Sequence, residues 1–154
     1  MASAQPSIAI GGDHAGLALK RALQQALADG GHELLDFGTN EAASVDYPDF
    51  AHLVCAAVQD GRARFGVLVC GSGIGMAIAA NRHQGIRAAV LHDTTEARLT
   101  RAHNDANVAA FGARLLGQEV ALDALRAFLS TPYEGGRHDR RLLKLSPPDL
   151  SPGS

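Results

Sequence analysis

Two hydrophobic rhythms alternate along this chain. In the first, short apolar runs bounded by glycine or polar residues predict strands at SIAIGG (7–12), HELLDFG (32–38), FGVLVC (65–70), GIRAAVLH (85–92) and NVAAFG (107–112). In the second, apolar residues recur every three or four positions and predict helices. Over 15–31, Leu19, Leu23, Ala26 and Leu27 share one face, Lys20, Arg21, Gln24 and Gln25 lie elsewhere, and Gly30 and Gly31 end the helix. Over 46–61, Phe50, Leu53, Val54, Ala57 and Val58 repeat at helical spacing, with Pro48 suited to the first turn. A helix of small residues follows the glycines of 71–75. Asp93 and Glu96 have capping-box spacing and open a helix through about Ala102. A last long helix, 119–129, packs through Val120, Ala124, Leu125 and Phe128.

FGVLVC shows no polar alternation, which is the mark of a strand covered on both faces. Strands of this kind alternating with helices predict a three-layer α/β domain: Rossmann-like, doubly wound, with a five-stranded parallel sheet. The expected organisation is one domain over 7–146, with 1–6 and 147–154 as flexible termini. Strand order does not follow from the pattern.

Composition narrows the function. A chain of 154 residues, 46% hydrophobic, suits one domain with a full core. Its net charge of −2 argues against a general nucleic-acid surface. Two cysteines, Cys55 and Cys70, make no disulfide framework and fit a reducing, cytoplasmic setting. The start MASAQPS has neither the basic nor the apolar region of a signal peptide. The uncharged stretch 65–81 is glycine-rich and too short for a membrane span.

In open parallel sheets, ligands bind beyond the carboxyl ends of the strands. That edge should gather GGDHAG after the first strand, CGSGIG after the third, His92-Asp93 after the fourth and FGAR after the fifth. Gly71 to Gly75 lead into a helix whose first amides lack internal partners and favour negative charge. The bound charge is either a phosphate or an oxyanion formed in a reaction, and the same field would favour a thiolate at Cys70. The plainer alternative is a tight turn with Cys70 as a small core residue. Asp13 and His14 either move protons and meet phosphate or serve as a helix cap and a surface histidine. Cys55 reads as core, and His32, His52 and His83, with no partners at suggestive spacing, as surface residues. No zinc signature is present.

His103 sits at the end of its helix, toward the opposite edge of the sheet. It is therefore either a helix-end cation or a residue that reaches a neighbouring copy across a two-fold interface. Arg137 and Arg141, four apart after Gly135-Gly136, form either a solvated helical face or a phosphate clamp.

Taken in order, GGDHAG, DYPDFA, VCGSGIGMAIAANR, GIRAAVLHD, RAHNDANVAAFGARLLG and YEGGRHDRR resemble the type B ribose-5-phosphate isomerases over about 8–145. The broader family includes isomerases of allose 6-phosphate and galactose 6-phosphate. The resemblance implies a metal-independent, cofactor-free aldose–ketose isomerase acting on ribose 5-phosphate and ribulose 5-phosphate as a homodimer, or as a tetramer of paired dimers. It implies Cys70 as the base on C2, and Ser72 beside it handling substrate oxygens. The amides around Gly71, Gly73 and Gly75 would form the enediolate anion hole. Asp13 would shuttle protons between sugar oxygens, and Tyr47 would line the site. His103, with Asn104, would open the furanose ring, acting on the partner's Cys70 site, while His14, Arg114, Arg137 and Arg141 would contact phosphate. A relative branch carries Ser at the Cys70 position and a Glu farther along the loop. Here that later position is Met76, which places the chain with the cysteine-base branch. Two other functions remain open at this point: isomerisation of a six-carbon sugar phosphate, and a non-catalytic phosphate- or nucleotide-binding module.

Overall fold

The computed structural model describes residues 4–151. Five parallel strands, β1 (Ile8–Gly12), β2 (Leu34–Asp36), β3 (Phe65–Cys70), β4 (Ala88–Val90) and β5 (Val108–Gly112), form one sheet in the order β2-β1-β3-β5-β4. Between and after them come α1 (Leu17–Asp29), α2 (Tyr47–Gln59), α3 (Ile74–Ala80), α4 (Thr94–Asn104), α5 (Gln118–Ser130) and the short α6 (Arg137–Leu143). The three-layer α/β architecture expected from the two rhythms is the one present. The flexible termini expected at 1–6 and 147–154 fall in part on residues 1–3 and 152–154, outside the described residues.

Two cores sandwich the sheet. Ile8, Ile10, Val67, Val69, Ala109 and Phe111 pack with α1, α4 and α5. Ala9, Leu68, Cys70, Val108 and Ala110 alternate with them and pack with α2 and α3. β3, at the centre, is buried along its whole length. The chain leaves β1 and β5 toward one face and leaves β3 toward the other, so crevices open beside the end of β3.

Three sequence expectations need correction. Leu53 and Val120 are exposed, because α2 rests on the sheet through Ala51, Val54 and Cys55, and α5 through Ala121, Ala124 and Phe128. Lys20, expected on a polar face, is wholly buried. Its ammonium lies 2.9 Å from Asp36 Oδ1 and donates to the Thr39 carbonyl and Asn40 Oδ1, also at 2.9 Å. Paired and bonded in this way, a buried charge is tolerated. Burial alone would raise the Asp36 carboxyl, but the Lys20 ammonium and the Gly38 amide hold it below the usual range. The surface histidines do find partners: His52 Nδ1 lies 2.7 Å from His83 Nε2, and His32 Nδ1 lies 2.9 Å from the Pro6 carbonyl.

Cys55 is core, as its position on the apolar pattern predicts, and burial pushes its thiol up to about 12. The Glu96 amide donates to the Asp93 carboxylate at 2.8 Å, so Asp93 caps α4. The Glu96 side chain meets the His92 amide instead of completing a capping box. Among the described residues, no helix is long and apolar enough to cross a membrane.

Candidate active site

Asp13 follows β1 directly, and its amide donates to the Val69 carbonyl at 3.1 Å, which ties the first loop to the end of β3. The approach is tight because it is backbone against backbone. A Cβ on Gly12 or on Gly16 would come within 2.6 Å of the Val69 oxygen, and one on Gly112 within 2.5 Å of the Ser72 oxygen. Asp13 is buried, and its Oδ1 accepts from the Ala15 and Gly16 amides at 3.0 and 3.1 Å. It is thus a cap, one of the two readings of the sequence, and among the described residues no hydrogen bond engages its Oδ2. The Val45 amide donates to His14 Nδ1 at 3.1 Å, so the neutral ring carries its proton on Nε2 as a free donor.

The β3–α3 turn folds over Cys70. Gly73 adopts φ 77°, a left-handed conformation natural to glycine, and its amide points at Cys70 Sγ at 3.1 Å. The Ile74 amide goes to Ser72 Oγ at 3.2 Å. Among the described residues, no turn or cap hydrogen bond engages the Gly71, Ser72 and Gly75 amides. Of the positions expected to form an anion hole, Gly71 and Gly75 keep unengaged amides, as does Ser72, whereas the Gly73 amide points at sulfur. Cys70 itself is only 3% exposed, so the turn covers it. Cavities of about 240 Å³ between α1 and α5 and about 750 Å³ beside Arg87 and Asn104 lie elsewhere.

Two further side chains frame the turn. Tyr47, at the start of α2, lies against Gly75, where a Cβ would meet the ring at 2.5 Å. Arg114 crosses the turn, its amide bonded to the Gly71 carbonyl at 3.0 Å and its side chain 3.5 Å from where a Gly71 Cβ would stand. Cys70, Ser72, Asp13, His14, Tyr47 and Arg114 therefore surround one edge of the sheet.

The remaining expected residues lie on the other edge. α4 starts after β4 and ends before β5, so its length of about 16 Å separates the two edges. His103 and Asn104 close α4, and Arg137 and Arg141 stand exposed on α6, which packs against α4. Within one chain these two groups of expected residues do not meet.

Sequence reasoning passed over two residues here. His103 stacks on His138 with ring centroids 4.5 Å apart and planes 17° apart. Glu134 Oε2 lies 4.0 Å from His103 Nε2 and 3.4 Å from His138 Nε2. The four-residue spacing of Glu134 and His138 was the only available signal. These three groups lie within 4.8 Å of one another. Near-parallel rings, however, keep their in-plane lone pairs from converging on one ion, so the trio fits metal coordination poorly.

The family model described as Ribose/Galactose Isomerase matches residues 8–145. Ribose-5-phosphate isomerase B of Escherichia coli is 45% identical over 135 residues, covering 88% of this chain and 91% of that protein. The solved ribose 5-phosphate isomerase of Thermotoga maritima superposes with a TM-score of 0.90 at 47% identity, covering 91% of this chain and 97% of that one. Ribose-5-phosphate isomerase B of Mycoplasma genitalium, solved with ribulose-5-phosphate bound, gives 0.86 at 37% identity over 90% and 93% of the two chains. With the fold, the glycine turn under its cysteine and these similarities together, the chain belongs to the ribose/galactose isomerase family, as a type B ribose-5-phosphate isomerase.

Proposed function

We propose that the protein interconverts ribose 5-phosphate and ribulose 5-phosphate through an enediolate, without a metal, using Cys70 as the base in a site shared by two subunits. The observation that carries this reading is the Gly73 amide aimed at the Cys70 sulfur inside a turn that has further unengaged amides. Such a donor stabilises negative charge on sulfur.

The chemistry follows. With the ring open, the Cys70 thiolate takes the C2 proton. The electrons of that bond form the C1–C2 double bond, and the carbonyl pair moves onto O1, next to the Gly71, Ser72 and Gly75 amides. O2 gives up its proton, Asp13 Oδ2 carries it to O1, and the Cys70 thiol returns a proton to C1, which leaves the C2 carbonyl and the C1 alcohol of the ketose. Donors already in place need no reorganisation as charge appears. His14 Nε2–H and Arg114 supply donors on the same edge. Phosphate held far from C1 and C2 supplies positioning.

His103, Asn104, Arg137 and Arg141 enter from a second copy in this reading, which rests on their separation from Cys70 within one chain. A homodimer is the smallest assembly that joins the two half-sites. The gap between the half-sites would then set sugar length. The galactose in the family description keeps six-carbon phosphates as the second reading.

The test is a coupled assay of wild type and Cys70→Ala on ribose, allose and galactose phosphates, with and without chelator. Chelator-insensitive turnover of ribose 5-phosphate that vanishes in Cys70→Ala is expected. Turnover that survives the substitution removes Cys70 as the base.

A further inference from the structure

The trio on the far edge asks for an explanation. His138 is 6% exposed and its Nε2 makes no hydrogen bond, although buried polar nitrogens nearly always find one. Its ring lies flat on that of His103, and Glu134 Oε2, 3.4 Å from that nitrogen, also faces His103. Glu134 is fixed relative to that histidine by its own backbone. Its amide donates at 3.0 Å to the carbonyl of Ala102, the residue before His103. The α6 start is tied in turn by Tyr133 Oη, which donates to Asp139 Oδ1 at 2.6 Å. A carboxylate, a buried imidazole and a half-exposed imidazole are thus assembled from one loop and two helices.

We propose that Glu134 and His138 are positioning residues for His103, and this rests on the reading above in which His103 opens the sugar ring. Ring opening asks one group to give a proton to the ring oxygen while another removes the proton of the anomeric hydroxyl. An imidazole doing this passes through changes of charge and must keep one nitrogen aimed at the sugar. Glu134 faces Nε2 and stabilises positive charge on the ring during the transfer, as the orienting carboxylate of a triad does. His138 supplies the flat wall that stops the His103 ring from turning, and its Nε2, 3.4 Å from Glu134 Oε2, draws that carboxylate toward the pair when the imidazole is charged. Neither residue touches the sugar.

The prediction is separable from the C2 chemistry, because ribulose 5-phosphate is acyclic: its C5 oxygen carries the phosphate and cannot close a five-membered ring. In deuterated water, the enzyme exchanges the C1 proton of the ketose through the enediolate without any ring opening. The variants are Glu134→Gln, an exposed change that leaves the core alone, Glu134→Asp, and His138→Phe, which keeps the wall and removes the nitrogen. Glu134→Gln is expected to lower kcat on ribose 5-phosphate by about tenfold or more. It should leave KM and the C1 exchange rate, read by proton NMR, within about twofold of wild type, on the same scale as ordinary surface substitutions. Glu134→Asp should recover part of the loss, and His138→Phe should show the same selective loss.

Equal losses of turnover and exchange, or no loss of either, overturn the proposal. A failure of the underlying reading looks different: Cys70→Ala would keep C1 exchange, or His103→Ala would lose exchange together with turnover.

Discussion

Cys70 and Gly73 are joined by an N–H···S hydrogen bond of 3.1 Å inside one tight turn. The bond exists because residue 73 occupies a left-handed conformation, and an added Cβ there would stand 2.9 Å from the Phe111 backbone. Gly73→Ala should therefore cost stability, roughly 1–3 kcal/mol for the backbone strain alone, read as a lowered denaturant midpoint. Cys70→Ala should leave the fold in place and reduce kcat by about 10²–10⁴, the range attributed to a positioned base. Comparable activity in Cys70→Ala would place the proton transfer on another residue.

The two cysteines should differ in reactivity. Cys55 lies in the core between α2 and the sheet, and burial pushes its thiol up to about 12. Alkylation followed by mass spectrometry of peptides should label Cys70 and leave Cys55 unmodified in the folded protein. Because the turn covers Cys70, labelling should be slow and should be suppressed further by saturating ribose 5-phosphate. Preferential labelling of Cys55 would contradict both the packing and the proposed role of the turn.

The proposed half-sites on opposite edges give a test of assembly. Cys70→Ala and His103→Ala should each be nearly inactive. Co-expressed and randomly paired, they should recover about a quarter of wild-type activity, since half of the dimers are mixed and one of two sites in each is intact. A site built within one chain would recover nothing.

Lys20 and Asp36 make a pH prediction. The Asp36 carboxyl is held below its ordinary value in the folded protein, so it binds fewer protons there than in the unfolded chain on the acid side. Its contribution to stability is therefore complete above about pH 5, and is lost as acidity increases toward and past the lowered folded-state value. Asp36→Asn should flatten the fall in melting temperature over that window. Lys20→Met should cost about 3 kcal/mol or less, because removing the cation leaves Asp36 partly open to water, where a fully buried partner would lose 3–5. An unchanged acid limb in Asp36→Asn would show that the pair does not set it.

Much of this fold is legible in periodicity. β3 announces itself as six buried residues in a row, and Leu19, Leu23 and Leu27 mark the inner face of α1. The pattern misleads where tertiary partners override it. Lys20 reads as a solvated charge until Asp36 and the Thr39 carbonyl arrive from another loop. Leu53 and Val120 obey helical spacing yet point outward, because smaller neighbours carry the contact with the sheet. Within the site, the glycine turn and its cysteine are visible in one short run of residues. The partnership of His103 with Glu134 and His138 joins groups more than thirty positions apart, and the His14–Val45 bond spans a similar distance. No local rule encodes either. The separation of His103 from Cys70 was legible, because a crossover helix returns to the far edge of a parallel sheet.

The backbone contacts at Gly12, Gly16 and Gly112 set a boundary on redesign. At these three positions backbone lies against backbone, so a side chain added there would collide with the Val69 or Ser72 carbonyl and displace the turn. If Arg137 and Arg141 hold the phosphate as proposed, sugar length is set instead from α6, where both stand exposed and their helix can be lengthened, shortened or re-aimed without disturbing the turn.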